Sequence, residues 1–157
     1  MPKLAVGARA IDFSLQDQSK KTHTLKTYKG KWVLLYFYPK DDTPGCTKEA
    51  CGFRDSLPRF KKSKLVVLGV SADSVESHAK FAKKFGLPFT LLSDPDKTTI
   101  KAYGVWGLKK FMGREYMGIR RMSFLIDPAG TIAKFYPKVK PVEHPAEVLA
   151  DLAALQK

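Results

Sequence analysis

Trp32-Val33-Leu34-Leu35-Tyr36-Phe37 and Leu65-Val66-Val67-Leu68-Gly69-Val70 are apolar at nearly every position. Such runs suit strands of a central sheet, covered on both faces. Ile11-Asp12-Phe13-Ser14-Leu15 instead alternates apolar with polar, the pattern of a short half-exposed strand. Residues 16–21 read as a turn, and residues 22–25 as the return strand of a hairpin. Pro39 ends the first apolar run. The pattern then changes period. Ala50, Phe53, Leu57 and Phe60 recur at helical spacing behind Thr43, a suitable N-cap, and Pro44, whose missing N–H costs nothing in a first turn. Residues 74–85 predict a second helix, with Val75, His78, Phe81, Ala82 and Phe85 on one face and Gly86 just past its end.

A short strand follows at residues 89–92, a loop at 94–96 and a short helix at 99–103. Residues 122–126 and 132–136 flank Asp127-Pro128-Ala129-Gly130-Thr131, a turn signal that makes them an antiparallel pair. Pro145 opens a last helix with Val148, Leu149, Leu152 and Leu155 on one side. This order predicts an α/β, thioredoxin-like fold. It has a mixed central sheet flanked by helices and an N-terminal β-hairpin. No repeat or linker interrupts it, so residues 1–157 are expected to form a single domain.

Composition changes that picture in two places. The formal charge is +13, with the basic residues scattered in small groups such as Lys61-Lys62, Lys83-Lys84, Lys109-Lys110 and Arg120-Arg121. Nucleic acid or an anionic surface is one use of such charge. No aromatic RNA-binding signature, zinc-finger spacing or basic tail accompanies it, and a solvated basic surface is the preferred reading. The second outlier is the cysteine usage. Two cysteines in 157 residues are not a secreted disulfide framework. Residues 1–9 hold no apolar core of signal-peptide length, and no run reaches membrane-span length. The expected setting is a reducing cytoplasm, with no membrane partner. There a close cysteine pair is more often catalytic or metal-binding than structural.

Those cysteines are Cys46 and Cys51, just past the strand-to-helix corner. Cys46 falls in the predicted first helical turn, where free N–H groups and the macrodipole favour a thiolate. Cys46 also lies on the buried face with Ala50 and Phe53. Cys51 lies roughly 140° from the centre of that face at 100° per residue. Cα atoms five apart in a helix are roughly 8–9 Å distant. A disulfide needs less than about 7 Å, so the pair cannot close while the helix is intact. A zinc site would need four ligands, and His23, His78 and His144 lack ligand spacing to the cysteines. A Cys–His pair of the papain kind stays open in principle. A Cys-x-x-Cys redox motif is absent, yet a thiol–disulfide oxidoreductase remains the rival enzyme reading. A basic nucleic-acid-binding module is the rival of another class.

The chain resembles the peroxiredoxins, and most closely the peroxiredoxin Q group, also called bacterioferritin comigratory proteins. The signature Pro-x-x-x-Thr/Ser-x-x-Cys reads here Pro39, Thr43, Cys46, and the stretch from Cys46 to Asp55 matches the group's helix. Phe89-Thr90-Leu91-Leu92-Ser93-Asp94, Tyr103-Gly104-Val105-Trp106-Gly107 and Arg121-Met122-Ser123-Phe124 follow in the family's order. The resemblance implies that Cys46 is the peroxidatic cysteine and Cys51 the resolving one. It also implies that Thr43 contacts thiolate and peroxide, that Pro39 shields the pocket and that Arg121, not Arg120, activates the thiol. Glu49 matches a glutamate that pairs with arginine; an ordinary exposed helical acid is the alternative. The implied activity is reduction of hydrogen peroxide and organic hydroperoxides through a Cys46 sulfenic acid and a Cys46–Cys51 disulfide. Thioredoxin or a similar dithiol would recycle the enzyme. No metal, haem or flavin cofactor is called for, no specific nucleic acid is expected, and the implied state is a monomer.

Overall fold

A computed structural model describes residues 4–156; residues 1–3, within the segment where no signal peptide is expected, and residue 157 lie outside it. The first strands are β1 (Ser14–Gln16), β2 (Thr22–Thr24) and β3 (Trp32–Phe37). Then come α1 (Pro44–Lys62), β4 (Leu65–Ser71), α2 (Val75–Phe85), β5 (Thr90–Ser93) and α3 (Thr98–Ala102). The chain continues through β6 (Trp106–Phe111), β7 (Arg114–Ile119), β8 (Met122–Ile126), β9 (Ile132–Tyr136) and α4 (His144–Leu155). Seven strands form one sheet in the order β2-β1-β5-β4-β3-β8-β9. The β3–β4 and β4–β5 pairs are parallel and β3–β8 and β8–β9 antiparallel, so the sheet is mixed, as expected of a thioredoxin-like fold.

The continuous apolar runs are explained by two cores, one on each face. Leu34, Tyr36 and Tyr38 face a core closed by Phe53 of α1, Phe81 of α2 and Leu152 of α4. Val33, Leu35 and Phe37 point the other way, towards Ile100, Tyr103 and Phe124. Each fully buried side chain of this size contributes roughly 1.5–3 kcal/mol over leaving it in water. Tyr36 lies opposite Gly69 in the β3–β4 register, and a Cβ there would sit 2.8 Å from its Cζ and Oη. Gly69 is therefore what lets the ring lie across β4.

The α2 helix matches its prediction: Ser74 accepts from the Ser77 N–H, and Gly86 closes the helix at φ 59°. Four details differ. The first strand of the N-terminal hairpin is shorter and later than residues 11–15, because the Phe13 N–H donates to Asp12 Oδ1 instead of to a neighbouring strand. The short α3 starts one residue early, at Thr98. Leu155 at the end of α4 is 42% exposed rather than part of the buried face. The fourth is a whole hairpin: β6 and β7 form a separate two-stranded ribbon that the periodicity did not reveal.

Candidate active site

The site is built where β3 ends. The Tyr38 N–H still donates to Val70 O, and half-buried Pro39 then terminates the ladder. Asp42 takes a left-handed φ of 60° and turns the chain into α1. Thr43 occupies the N-cap position, and its carbonyl accepts from the Thr47 N–H at 2.8 Å. Its hydroxyl does not cap the helix; it donates to Lys40 O at 2.9 Å and fastens the corner loop. Cys46 therefore sits in the first turn, 1% exposed, beneath a helix start that favours negative charge. Cys51 is partly exposed on the other side of the helix, and both thiols are free. The wheel reading of two unlike cysteines matches this placement.

Arg121 arrives from the segment between β7 and β8. Its Nη2 donates to Cys46 Sγ at 3.3 Å and its Nη1 to Glu49 Oε1 at 2.7 Å. Gly45 makes the approach possible, since a Cβ there would stand 3.1 Å from Nη2. Arg120 turns the other way, over Gly107, and donates to Leu108 O at 3.4 Å. The two neighbouring side chains thus leave the link between β7 and β8 in opposite directions.

Glu49 is not an exposed helical acid. It is 0% exposed and its Oε2 has no partner. Burial pushes its carboxyl up to about 7, a rise that the Arg121 charge and hydrogen bond only partly offset. Burial also works against the Arg121 charge, but Glu49 and Cys46 more than compensate and hold that guanidinium above its ordinary range. The outcome is a cation fixed between a buried carboxyl and a buried sulfur. Such a group stabilises charge on a thiolate and on an oxygen bound beside it.

A second cluster lies under the corner loop. Asp41 accepts from Tyr38 Oη at 2.6 Å, Ser77 Oγ at 2.8 Å and His78 Nδ1 at 2.7 Å. Its backbone N–H donates to Asp73 Oδ2, which also accepts from Ser71 Oγ. The ligand atoms of Asp41, Asp73 and His78 lie within 4.8 Å of one another, close enough to suggest a cation site. The carboxylate oxygens are already engaged by N–H and O–H donors, so the cluster serves as a network clamping the loop to α2. His78 was expected as an ordinary helix-face residue; its partner Asp41 lies 37 positions away and gives no local signal. The other histidines are similarly occupied: His23 pairs with Asp17 and Tyr28, and His144 with Ser123 and Glu147. None of them reaches Cys46, which removes the Cys–His reading.

The sequence model of the AhpC/TSA family matches residues 6–135. Peroxiredoxin Bcp of Bacillus subtilis is 50% identical over 149 residues, covering 95% of this chain and 95% of its own. The structure of a cysteine-to-serine variant of Xylella fastidiosa PrxQ superposes with a TM-score of 0.93 at 37% identity, covering 100% of both chains. A Xanthomonas campestris bacterioferritin comigratory protein, studied for alkyl peroxide reduction, superposes at 0.89 with 40% identity and 98% of both chains covered.

Proposed function

The chain belongs to the AhpC/TSA family, among the peroxiredoxins of the Bcp and Q type, and from that premise we propose how its residues divide the peroxidase reaction. The Cys46 thiolate attacks the terminal oxygen of a hydroperoxide. The S–O bond forms as the O–O bond breaks, and the departing oxygen takes a proton to leave as water or alcohol. The sulfur is oxidised to a sulfenic acid and the peroxide is reduced. Arg121 and the N–H groups of the first turn of α1 stabilise the charge on sulfur and on the peroxide oxygens. Glu49 holds Arg121 in place from behind, Thr43 lines the approach, and Pro39 keeps bulk water from the sulfur.

Cys51 then attacks the Cys46 sulfur, water leaves, and a disulfide forms. The cysteines lie five positions apart in the helix, roughly 8–9 Å between Cα atoms against the limit of about 7 Å for a bridge. The first turns of α1 must unwind before the sulfurs meet. A dithiol protein of the thioredoxin kind then supplies two electrons by exchange and restores both thiols. The protein works as one domain and as a monomer, in a compartment where thiols stay reduced. The continuous sheet, cored on both faces, supports the first of these. Among the described residues no helix is long and apolar enough to cross a membrane.

One observation carries this reading: the Arg121 guanidinium bridges buried Cys46 and buried Glu49 at 3.3 and 2.7 Å. The test follows peroxide loss with thioredoxin, its reductase and NADPH. Cys46→Ser should consume none. Cys51→Ser should react once with peroxide and then fail to cycle. Full turnover by Cys46→Ser would refute the assignment.

A further inference from the structure

The β6–β7 ribbon is the largest feature that the peroxidase chemistry leaves unexplained. Two-stranded ribbons are marginal alone in water, yet this one exposes apolar residues on every side. The register pairs Leu108 with Met117 on one face, and Lys109 with Tyr116 and Phe111 with Arg114 on the other. Leu108 is 49% exposed, Met117 52%, Phe111 65% and Met112, in the turn, 87%. Met112 has φ 50° and Gly113 φ 79°. A two-residue turn of that shape ordinarily favours Asn, Asp or Gly at both positions. A large apolar side chain therefore stands where the backbone would prefer a small polar one.

Charge is arranged around this tip rather than on it. Lys109 and Arg120 lie across the Gly118 and Gly107 pair at the ribbon's base, where a Cβ would come within 3.0 and 2.9 Å of their side chains. Lys110 and Arg114 flank the turn, and Glu115 is the only acid in either strand. The result is an apolar end with a cationic collar behind it.

We propose that the β6–β7 ribbon docks this protein on an anionic lipid bilayer surface, with Phe111 and Met112 inserted at the headgroup boundary. Apolar groups on both faces and at the tip need a medium that surrounds the end of the ribbon, whereas a folded partner covers one face. A second copy would bring its own +13 charge against the first. The collar cations match anionic headgroups, and their stems can lie along the apolar boundary while the charges stay in water. This is docking on a surface, not a span. The ribbon base also lies beside the reaction site, since Arg120, which donates to Leu108 O, is the chain neighbour of Arg121, which donates to Cys46 Sγ.

The test uses the full chain and co-sedimentation with phosphatidylcholine vesicles, with and without about 30 mole per cent phosphatidylglycerol to supply the negative surface potential of an anionic leaflet. Binding is expected only to the anionic vesicles and should weaken with added salt. Met112→Asn suits the turn better than methionine, so its fold is not at risk; combined with Phe111→Ser it should bind about a hundredfold more weakly. Lys110→Gln with Arg114→Gln, two cations at about 1 kcal/mol each, should lose about thirtyfold. Consumption of hydrogen peroxide should be unchanged in all of them, which separates failure of this proposal from failure of the peroxidase reading. No binding to anionic vesicles, or equal binding by the tip variant, overturns the proposal. So does a tip variant that binds vesicles normally but loses reductant-driven turnover or concentration-dependent self-association, since the ribbon is then a protein-docking face.

Discussion

Replacing Glu49 with Gln tests the physics of the site most directly. The wild-type carboxyl is 0% exposed, faces Arg121 at 2.7 Å through one oxygen, and is raised from 4.5 to about 7. In the unfolded chain it titrates near 4.5. Between those values the unfolded state has lost the proton and the native state keeps it, so stability falls as pH rises through the window and levels off above about 7. At 1.36 kcal/mol per unit, the interval amounts to about 3 kcal/mol; Arg121 opposes the rise, so its partial solvent access does not lessen it. Burial lowers His144 below its usual 6.5, which adds stability as pH rises, but it does so in both proteins and largely cancels in the difference. The assay is urea unfolding of the reduced protein from pH 4 to 8, wild type against Glu49→Gln. The difference curve should slope by about 3 kcal/mol across the window. Parallel curves would show that Glu49 is not a buried titrating group, and the account of how Arg121 is held would fall with it.

Oxidation to the disulfide should speed hydrogen exchange across residues 47–55, because the first turns of α1 must open; equal protection in both redox states would exclude the unwinding step. Gly45→Ala places a Cβ 3.1 Å from Arg121 Nη2. Because that neighbour is a movable guanidinium, we expect little change in Tm but a slower reaction of Cys46 with peroxide by stopped flow, about tenfold for a lost charge-assisted contact. Gly69→Ala meets the buried Tyr36 ring at 2.8 Å, where nothing can give cheaply, and chemical denaturation should show a loss of about 1–3 kcal/mol.

Legibility in the sequence tracked how local the physical cause was. The β3 and β4 runs announced themselves because both faces are buried, so every position had to be apolar. The α2 caps were readable because Ser74 and Gly86 act on backbone within a few residues. Thr43 was half readable: its position at the helix start follows from Pro44, but its hydroxyl chose Lys40 O over the helix. The β6–β7 ribbon was missed because both its faces meet solvent and leave no apolar–polar contrast, and because Met112 disguises its turn. The resemblance to a family pointed to Arg121; from the residues alone it could not be told from Arg120.

The sequence by itself determined the strand-to-helix corner, the thiol in its first turn and the spacing that keeps Cys46 and Cys51 apart, since each depends on helix geometry and neighbouring residues. Only the tertiary structure decided what surrounds that thiol. Arg121 reaches Cys46 across 75 positions and Glu49 across 72, and Asp41 meets His78 across 37. Contacts of that range are set by how the sheet brings strand ends together and by which groups burial leaves without water. No periodicity along the chain encodes either.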